Sequence, residues 1–135
     1  MAVRTLIVED SQVARNVLRR RFEEVGVEIV GEAANASDGL KLFRTLHPQL
    51  VTLDLVMPQV GGLDSKSLFR LIRTEAPDVA CIVISAQSRL AERADYMRQG
   101  AMAYIEKPFI NVESLVEKLR QIFPELKPSR SQRAY

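Results

Sequence analysis

Hydrophobic and polar positions along this chain form blocks with two different periods. Short apolar runs predict strands, and longer segments with apolar residues every three or four positions predict helices. The predicted strands are Val3–Val8, Glu28–Ala33, Leu50–Leu55, Val79–Ser85 and Ala103–Glu106. The predicted helices are Ser11–Val25, Ser37–Leu46, Asp64–Glu75, Leu90–Gln99 and Val112–Phe123. The pattern is five strand–helix units in strict alternation.

The ends of several predicted helices carry ordinary start and stop signals. Ser11 is a predicted N-cap of the first helix, and Gly26 follows that helix as a stop signal. Proline residues follow the second, third and fifth helices, and proline cannot continue a helix. The first helix carries apolar residues at a nearly helical spacing: Val13, Val17, Leu18, Phe22 and Val25.

The alternation also predicts the architecture. The first, third and fourth strands are nearly continuous apolar runs, which is typical of a parallel sheet covered on both faces. Crossovers between parallel strands are expected to be right-handed. We expect the connecting helices to pack on both faces of an open sheet. We therefore predict an α/β fold with a doubly wound, five-stranded parallel sheet in the order 2-1-3-4-5. A length of 135 residues suits one domain.

The formal net charge of +2 is unevenly distributed. Three positive charges and no acid lie in residues 127–135, so the rest of the chain has a net charge of −1. We expect one domain over residues 1–124 and a basic, disordered tail or linker over 125–135. A body without a basic surplus gives no reason to expect direct nucleic-acid contact.

We interpret four arginines on the first helix as a solvated face rather than a binding patch: Arg15, Arg19, Arg20 and Arg21.

Several features indicate a cytoplasmic protein without membrane contact. No apolar run approaches the ~18 residues that a membrane span needs. The first apolar stretch is interrupted by Arg4 and followed by two acids, unlike a signal peptide. Cys81 is the single cysteine and lies in an apolar run, where cysteine is usually a small core residue.

Polar residues interrupt the apolar pattern at the carboxyl ends of the predicted strands. Five residues lie there: Glu9, Asp10, Asp54, Ser85 and Lys107. In open α/β sheets, ligands bind outside these ends, at the point where the strand order reverses. With the order 2-1-3-4-5, the first and third strands are neighbours at that point. Glu9, Asp10 and Asp54 are therefore expected to share one pocket.

The composition of this pocket points to phosphoryl chemistry with a metal ion. Three carboxylates repel each other unless cations compensate their charge. Lys107 supplies one positive charge, and a hard divalent ion such as Mg²⁺ or Mn²⁺ suits oxygen ligands. The Asp54 carboxylate can attack phosphorus to give an acyl phosphate, and it needs no general base because it has no proton to lose. Ser85 and Lys107 could then contact the phosphoryl oxygens.

Four short segments at these strand ends resemble the receiver domain of bacterial two-component response regulators. The segments are Leu6–Asp10, Leu53–Pro58, Ile84–Ala86 and Tyr104–Phe109. The resemblance covers roughly residues 3–123. It implies a flavodoxin-like or CheY-like (βα)5 fold and a signalling switch that works by phosphorylation.

The resemblance also implies roles for the residues of the pocket. Asp54 is the phosphoacceptor, and Asp10 and Asp54 bind the metal ion directly. Glu9 holds the ion through water, and the backbone carbonyl of Val56 completes the protein ligands. The expected ion is Mg²⁺ or Mn²⁺.

Further roles concern the response to phosphorylation. Ser85 and Lys107 are the pair that senses the phosphoryl group, and Ser85 and Tyr104 form the switch, with the Tyr104 ring moving inward. Lys107 and Pro108 are joined by a cis peptide bond, which proline makes accessible.

The partners are also implied by the resemblance. A histidine kinase or a histidine phosphotransfer protein donates the phosphoryl group and docks near the first helix. The face formed by helix 4, strand 5 and helix 5 contacts a downstream target protein or an output domain, and it could also form a homodimer. The domain is then no enzyme, since it catalyses only its own phosphorylation and dephosphorylation.

Two alternatives remain open at this level. An aspartyl-nucleophile phosphatase of the haloacid dehalogenase type also forms an acyl phosphate at a strand end, but it typically needs a second Asp where this chain has Val56. A phosphorylation-independent interaction module could keep the same fold. The complete set of acids with Lys107 argues against this second alternative.

Overall fold

Strands and helices alternate along the chain as the hydrophobic pattern predicts. The computed structural model describes residues 3–86, 89–107 and 112–126. The strands are β1 Val3–Val8, β2 Val27–Ala33, β3 Leu50–Asp54, β4 Ala80–Ser85 and β5 Ala103–Glu106. The helices are α1 Gln12–Glu24, α2 Ala36–Leu46, α3 Ser65–Glu75, α4 Leu90–Arg98 and α5 Val112–Ile122. The predicted elements are all present, with bounds that differ by one residue or none.

The five strands form one parallel sheet in the order β2-β1-β3-β4-β5, so the predicted fold and strand order are confirmed. Val8 at the end of β1 lies opposite Leu53 in β3, and Asp54 lies opposite Ile84 in β4. The carboxyl ends of β1, β3 and β4 are therefore neighbours. This register places the charged strand ends side by side.

Two hydrophobic clusters pack against the sheet. One contains Leu18 and Phe22 of α1 together with Leu119 of α5, and the other contains Phe43 of α2 and Phe69 of α3. Successive strand residues alternate between the clusters, as the pleat of a sheet requires: Ile7 belongs to the first, and Leu6 and Val8 belong to the second. Helices therefore cover both faces of the sheet.

The core buries only some of the apolar residues of α1. Val13 and Val17 are 74% and 36% exposed, whereas Ala14, Leu18 and Phe22 are buried at intervals of four residues. The helix has two apolar stripes one residue apart, and the two valines lie on the exposed one. Packing uses the stripe that begins with the smaller Ala14. Ser11 is the N-cap as predicted, and its Oγ accepts a hydrogen bond from the Ala14 amide at 3.2 Å.

The packed part of the chain reaches at least Leu126, which is buried in the first cluster. Its carbonyl accepts a hydrogen bond from Nε of Arg120 at 3.3 Å. The predicted domain boundary at residue 124 stays a prediction, and residues 127–135 of the predicted tail lie outside the described residues. In the part of the chain that is described, none of the helices combines the length and apolar character that crossing a bilayer requires.

Cys81 should weaken the fold at alkaline pH. Burial raises the pKa of its thiol to about 11, while an unfolded chain ionises cysteine near about 8.5. Between these values the unfolded state releases a proton that the folded state keeps, so stability falls as pH rises. From pH 7 to about pH 9.5 we expect wild type to lose about 1 kcal/mol more unfolding free energy than Cys81→Ala.

Urea unfolding of both proteins at the two pH values measures this difference. The constant cost of the substitution cancels between pH values. An equal loss in both proteins would show that the Cys81 thiol ionises as readily in the folded chain as in the unfolded one.

Candidate functional site

The carboxylates predicted to share a pocket do meet at the carboxyl edge of the sheet. One oxygen from each of Glu9, Asp10 and Asp54 lies within 4.8 Å of the others. Glu9 and Asp54 are buried, at 0% and 1% exposure, and Asp10 is exposed at the rim. Two strands supply these residues, because Glu9 and Asp10 follow β1 and Asp54 ends β3.

Asp54 is held from three sides. Its Oδ1 accepts a hydrogen bond from the Val56 amide at 3.1 Å, and its Oδ2 accepts one from Nζ of Lys107 at 3.2 Å. Oγ of Ser65, the first residue of α3, donates to the Asp54 backbone carbonyl at 2.8 Å. The side chain is therefore fixed by β3, by the loop that follows it and by Lys107.

Glu9 is fixed through both its backbone and its carboxylate. Its amide donates to the Ala33 carbonyl at 2.9 Å, so the contact between β1 and β2 continues past the strand end. Its Oε2 accepts from the Ser11 amide at 3.0 Å, and its Oε1 lies 2.7 Å from Nζ of Lys107. Oε2 of Glu9 therefore has a hydrogen-bond donor, whereas the buried Oε1 has only the ion pair with Lys107 and no hydrogen bond in the described part of the chain.

Lys107 is the cation that joins the two buried acids. Its side chain is 23% exposed, and its backbone amide donates to the Ser85 carbonyl at 2.9 Å, which ties the end of β5 to the end of β4. Burial acts to lower the pKa of Lys107, but its contacts with Glu9 and Asp54 outweigh burial and raise the pKa above its usual value. The ammonium group therefore stays charged throughout the neutral range.

The charges of this cluster suit a divalent cation. The three carboxylates face one ammonium group, that of Lys107, within the described residues. Buried charges are stable only when they are paired or bind metal ions. Carboxylate oxygens from Asp10 and Asp54, with room for water at the exposed rim, are the ligands that Mg²⁺ prefers. The donor set thus fits a hard divalent ion.

A second group of contacts links the site to α4. Ser85 is buried at the end of β4, and the hydroxyl of the buried Tyr104 donates to Oε1 of Glu92 at 3.1 Å. Burial raises the pKa of Tyr104, a hydrogen bond with Ser85 lowers it in part, and the contact with Glu92 raises it further. The Tyr104 hydroxyl therefore lies between the strand end at Ser85 and the helix α4.

The loop between β3 and α3 begins at the site, where the Val56 amide contacts Asp54, and it is also attached to α2. Val56 in this loop is 59% exposed, and Oγ of Ser37 donates to the Val60 carbonyl at 2.5 Å. Gly61 has a φ of +71°, and a Cβ atom there would lie 2.6 Å from Oγ of Ser37. A larger residue at this position would displace Ser37 from its contact with the loop.

The family of the chain follows from comparison with known proteins. The family model of the response regulator receiver domain matches residues 5–120. The chain belongs to the response regulator receiver family. The resemblance seen in the four segments at the strand ends is therefore confirmed, and in this family the domain has a signalling role and uses Mg²⁺.

Similar proteins include one that this chain matches over nearly its full length and longer proteins that it matches only in part. The receiver is 32% identical to the chemotaxis protein CheY of Thermotoga maritima over 123 residues, which is 90% of this chain and 98% of that protein. It is 31% identical to the response regulator GacA of Pseudomonas aeruginosa over 122 residues, 90% of this chain but 55% of that protein. A CheY-like receiver structure from Methanospirillum hungatei matches with a TM-score of 0.79 and 25% identity, covering 93% of this chain and 96% of the other.

Three residues of the receiver site were missed in the sequence analysis. Ser65 holds the Asp54 carbonyl, Glu92 holds the Tyr104 hydroxyl, and Arg15 donates to the Glu9 carbonyl at 2.6 Å. Arg15 lies five positions after Asp10, and its side chain is 13% exposed, so the interpretation as a solvated face was wrong for this arginine. Pro108, and with it the predicted cis peptide bond after Lys107, lies outside the described residues.

Proposed function

We propose that this receiver domain accepts a phosphoryl group on Asp54 from a histidine kinase or a histidine phosphotransfer protein, in a reaction that depends on Mg²⁺ or Mn²⁺. One observation carries the proposal. Asp54 is a buried carboxylate that contacts Lys107 and lies within 4.8 Å of Glu9 and Asp10 at the switch point of the sheet. A parallel strand gains nothing from a buried acid unless that acid has a function.

Among the three acids, Asp54 is the best placed nucleophile. Glu9 is fully buried, and both of its oxygens already have close partners. Asp10 is exposed at the rim, as expected for a metal ligand that keeps water in its coordination sphere. Asp54 lies between the ends of β1 and β4, so it is the acid that can face both Lys107 and Ser85.

The transfer needs no general base. An Asp54 carboxylate oxygen forms a bond to phosphorus while the bond from phosphorus to the donor imidazole nitrogen breaks, and the electron pair of that bond returns to the nitrogen. Lys107 stays protonated and pairs with one phosphoryl oxygen, and the Ser85 hydroxyl donates to another. Asp10, Asp54 and the Val56 carbonyl would hold a divalent ion, with Glu9 acting through water, and such an ion would supply positive charge to the phosphoryl oxygens.

Ser85 and Tyr104 link this chemistry to the output surface. When Ser85 donates to a phosphoryl oxygen, its contact with the Tyr104 hydroxyl is lost or reorganised, which shifts the balance between two packings of β5 and α4. The helices of this proposed output face, α4 and α5, carry exposed apolar residues that a downstream target, an output domain or a second copy could cover: Leu90, Met97 and Ile122.

The contact between Tyr104 and Glu92 should stabilise α4 locally. Glu92→Ala removes this hydrogen bond, which we expect to contribute about 1 kcal/mol, and Tyr104→Phe removes it together with the contact to Ser85. Amide protons of α4 should therefore exchange about fivefold faster in Glu92→Ala and at least as fast in Tyr104→Phe. The double variant should exchange no faster than Tyr104→Phe alone, and hydrogen-exchange NMR measures all four proteins. Additive effects of the two substitutions would contradict a direct contact.

Two alternatives are less consistent with the site. A haloacid dehalogenase-type phosphatase needs a second acid where Val56 stands, and the family match favours a signalling domain. A phosphorylation-independent module has no use for three clustered acids that pair with Lys107.

Phosphorylation by acetyl phosphate tests the proposal. Wild type should gain the mass of one phosphoryl group in the presence of Mg²⁺ and should gain none in EDTA, as read by intact-protein mass spectrometry. Beryllofluoride with Mg²⁺ is the matched test for a short-lived acyl phosphate, because the complex persists. Failure of the domain to take up either group, or to bind Mg²⁺, would leave the phosphorylation-independent module as the better account.

A further inference from the structure

Arg15 makes contacts that set it apart from the other arginines of α1. Its side chain is 13% exposed, compared with 37% for Arg19 and 46% for Arg21. Nη1 of Arg15 donates to the backbone carbonyl of Glu9 at 2.6 Å. A charged side chain on the first turn of α1 therefore reaches back to the turn that carries two of the three clustered acids.

The guanidinium group of Arg15 is itself held in place. Its Nη2 donates to Oε1 of Gln12 at 2.7 Å, and its Nε lies 3.3 Å from Oε1 of Glu32. Glu32 lies near the end of β2, and its other carboxylate oxygen pairs with Arg19. Arg15 thus connects the turn after β1 to α1 and to β2. Its planar group of five donors suits several simultaneous contacts, which lysine cannot reproduce.

These contacts fix the backbone on both sides of Glu9. The Glu9 amide donates to Ala33, and the Glu9 carbonyl accepts from Arg15. The carbonyl of Glu9 belongs to the peptide group that joins Glu9 to Asp10. The orientation of this peptide group therefore sets the backbone orientation at the exposed Asp10. Asp10 has little burial of its own to hold it.

We propose that Arg15 is a positioning residue for the metal site, which orients Asp10 through the Glu9 carbonyl, while Glu32 and Gln12 hold its guanidinium group. This inference rests on the proposed function, because it assumes that the acidic cluster binds a divalent ion. Partners that orient metal ligands typically change metal affinity by about 10–100-fold.

The direction of the change in Mg²⁺ affinity distinguishes a positioning role of Arg15 from an effect of its charge. Arg15 is a cation near a site for another cation, so its charge alone opposes metal binding. Removal of that charge should tighten Mg²⁺ binding if Arg15 acts only through electrostatics. Removal of a positioning contact should weaken binding in spite of the lost repulsion.

Calorimetric titration of the metal-free protein with Mg²⁺ tests the inference. We expect Arg15→Met to weaken Mg²⁺ binding by about tenfold. Arg19→Met is the matched control, because Arg19 also pairs with Glu32 and carries the same charge but, among the described residues, makes no hydrogen bond to the Glu9 carbonyl. Its affinity should stay within about twofold of wild type. The unfolding temperature of each metal-free variant is measured first. The Mg²⁺ titrations are then carried out without EDTA, well below these temperatures, so that a loss of stability does not affect the result.

Arg15→Lys keeps the positive charge but cannot make all of the arginine's contacts at once. It tests whether Arg15 positions the metal site if Arg15→Met does not fold. It should weaken Mg²⁺ binding by about threefold. Unchanged or tighter binding in the folded Arg15 variants, or an equal loss in Arg19→Met, would overturn the inference. Absence of Mg²⁺ binding in wild type would instead contradict the proposed metal site itself.

Discussion

Asp54→Asn should reduce phosphoryl incorporation from acetyl phosphate by at least about a thousandfold, because the amide is not a nucleophile toward phosphorus. The substitution keeps the shape of the side chain and its ability to accept from the Val56 amide. We therefore expect a folded protein whose defect is chemical. Intact-mass time courses with Mg²⁺ measure the incorporation, and circular dichroism reports the fold.

A matched control separates the acceptor from other acids. Asp78→Asn changes an exposed aspartate in the turn before β4, at the amino ends of the parallel strands, whereas the clustered acids lie at the carboxyl ends. This variant should be phosphorylated like wild type. If Asp54→Asn were modified at the wild-type rate, another residue would be the acceptor. The proposal for Asp54 would then fail even though the domain is phosphorylated.

Lys107→Met should destabilise the fold strongly in the absence of metal. Lys107 contacts both Glu9 and Asp54, and those carboxylates are buried. Removal of one partner leaves the other charges buried without a counter-ion, which we expect to lower the unfolding free energy by about 3 kcal/mol. Millimolar Mg²⁺ should restore part of this loss, because the metal ion supplies positive charge to the same acids.

Two further proteins test this explanation. Lys66→Met removes an exposed lysine at the start of α3 and should change the unfolding free energy by less than about 0.5 kcal/mol. The double variant Lys107→Met with Asp54→Asn should be less destabilised than the sum of the single variants, since one unpaired carboxylate is removed. Urea unfolding in EDTA measures all of them. Additive losses would show that Lys107 does not stabilise the fold through Asp54.

The strand ends show what the sequence could predict about the site. Each polar residue there interrupts an apolar run, and the register of a parallel sheet brings such residues together without any detail of side-chain packing. Asp54 and Glu9 were therefore placed in one pocket correctly. Their roles in phosphorylation still rest on the proposal above.

The remaining parts of the site depend on helix rotation and side-chain reach. Arg15 and Glu92 lie on helices, where several faces are possible, and their partners are a backbone carbonyl and a hydroxyl on other elements. The hydrophobic pattern does not encode these contacts. The same limit applies to α1, where the valines Val13 and Val17 are more apolar than Ala14 but packing buries Ala14.

Chemical location of the phosphoryl group shows directly whether Asp54 is the acceptor. Wild type is incubated with acetyl phosphate and Mg²⁺, the acyl phosphate is reduced with borohydride, and peptides are mapped by tandem mass spectrometry. We expect conversion of the residue at position 54 alone, with no conversion in EDTA. Conversion at Glu9 or Asp10 instead, or conversion at Asp54 that is equally efficient without a divalent ion, would contradict metal-dependent phosphorylation of Asp54.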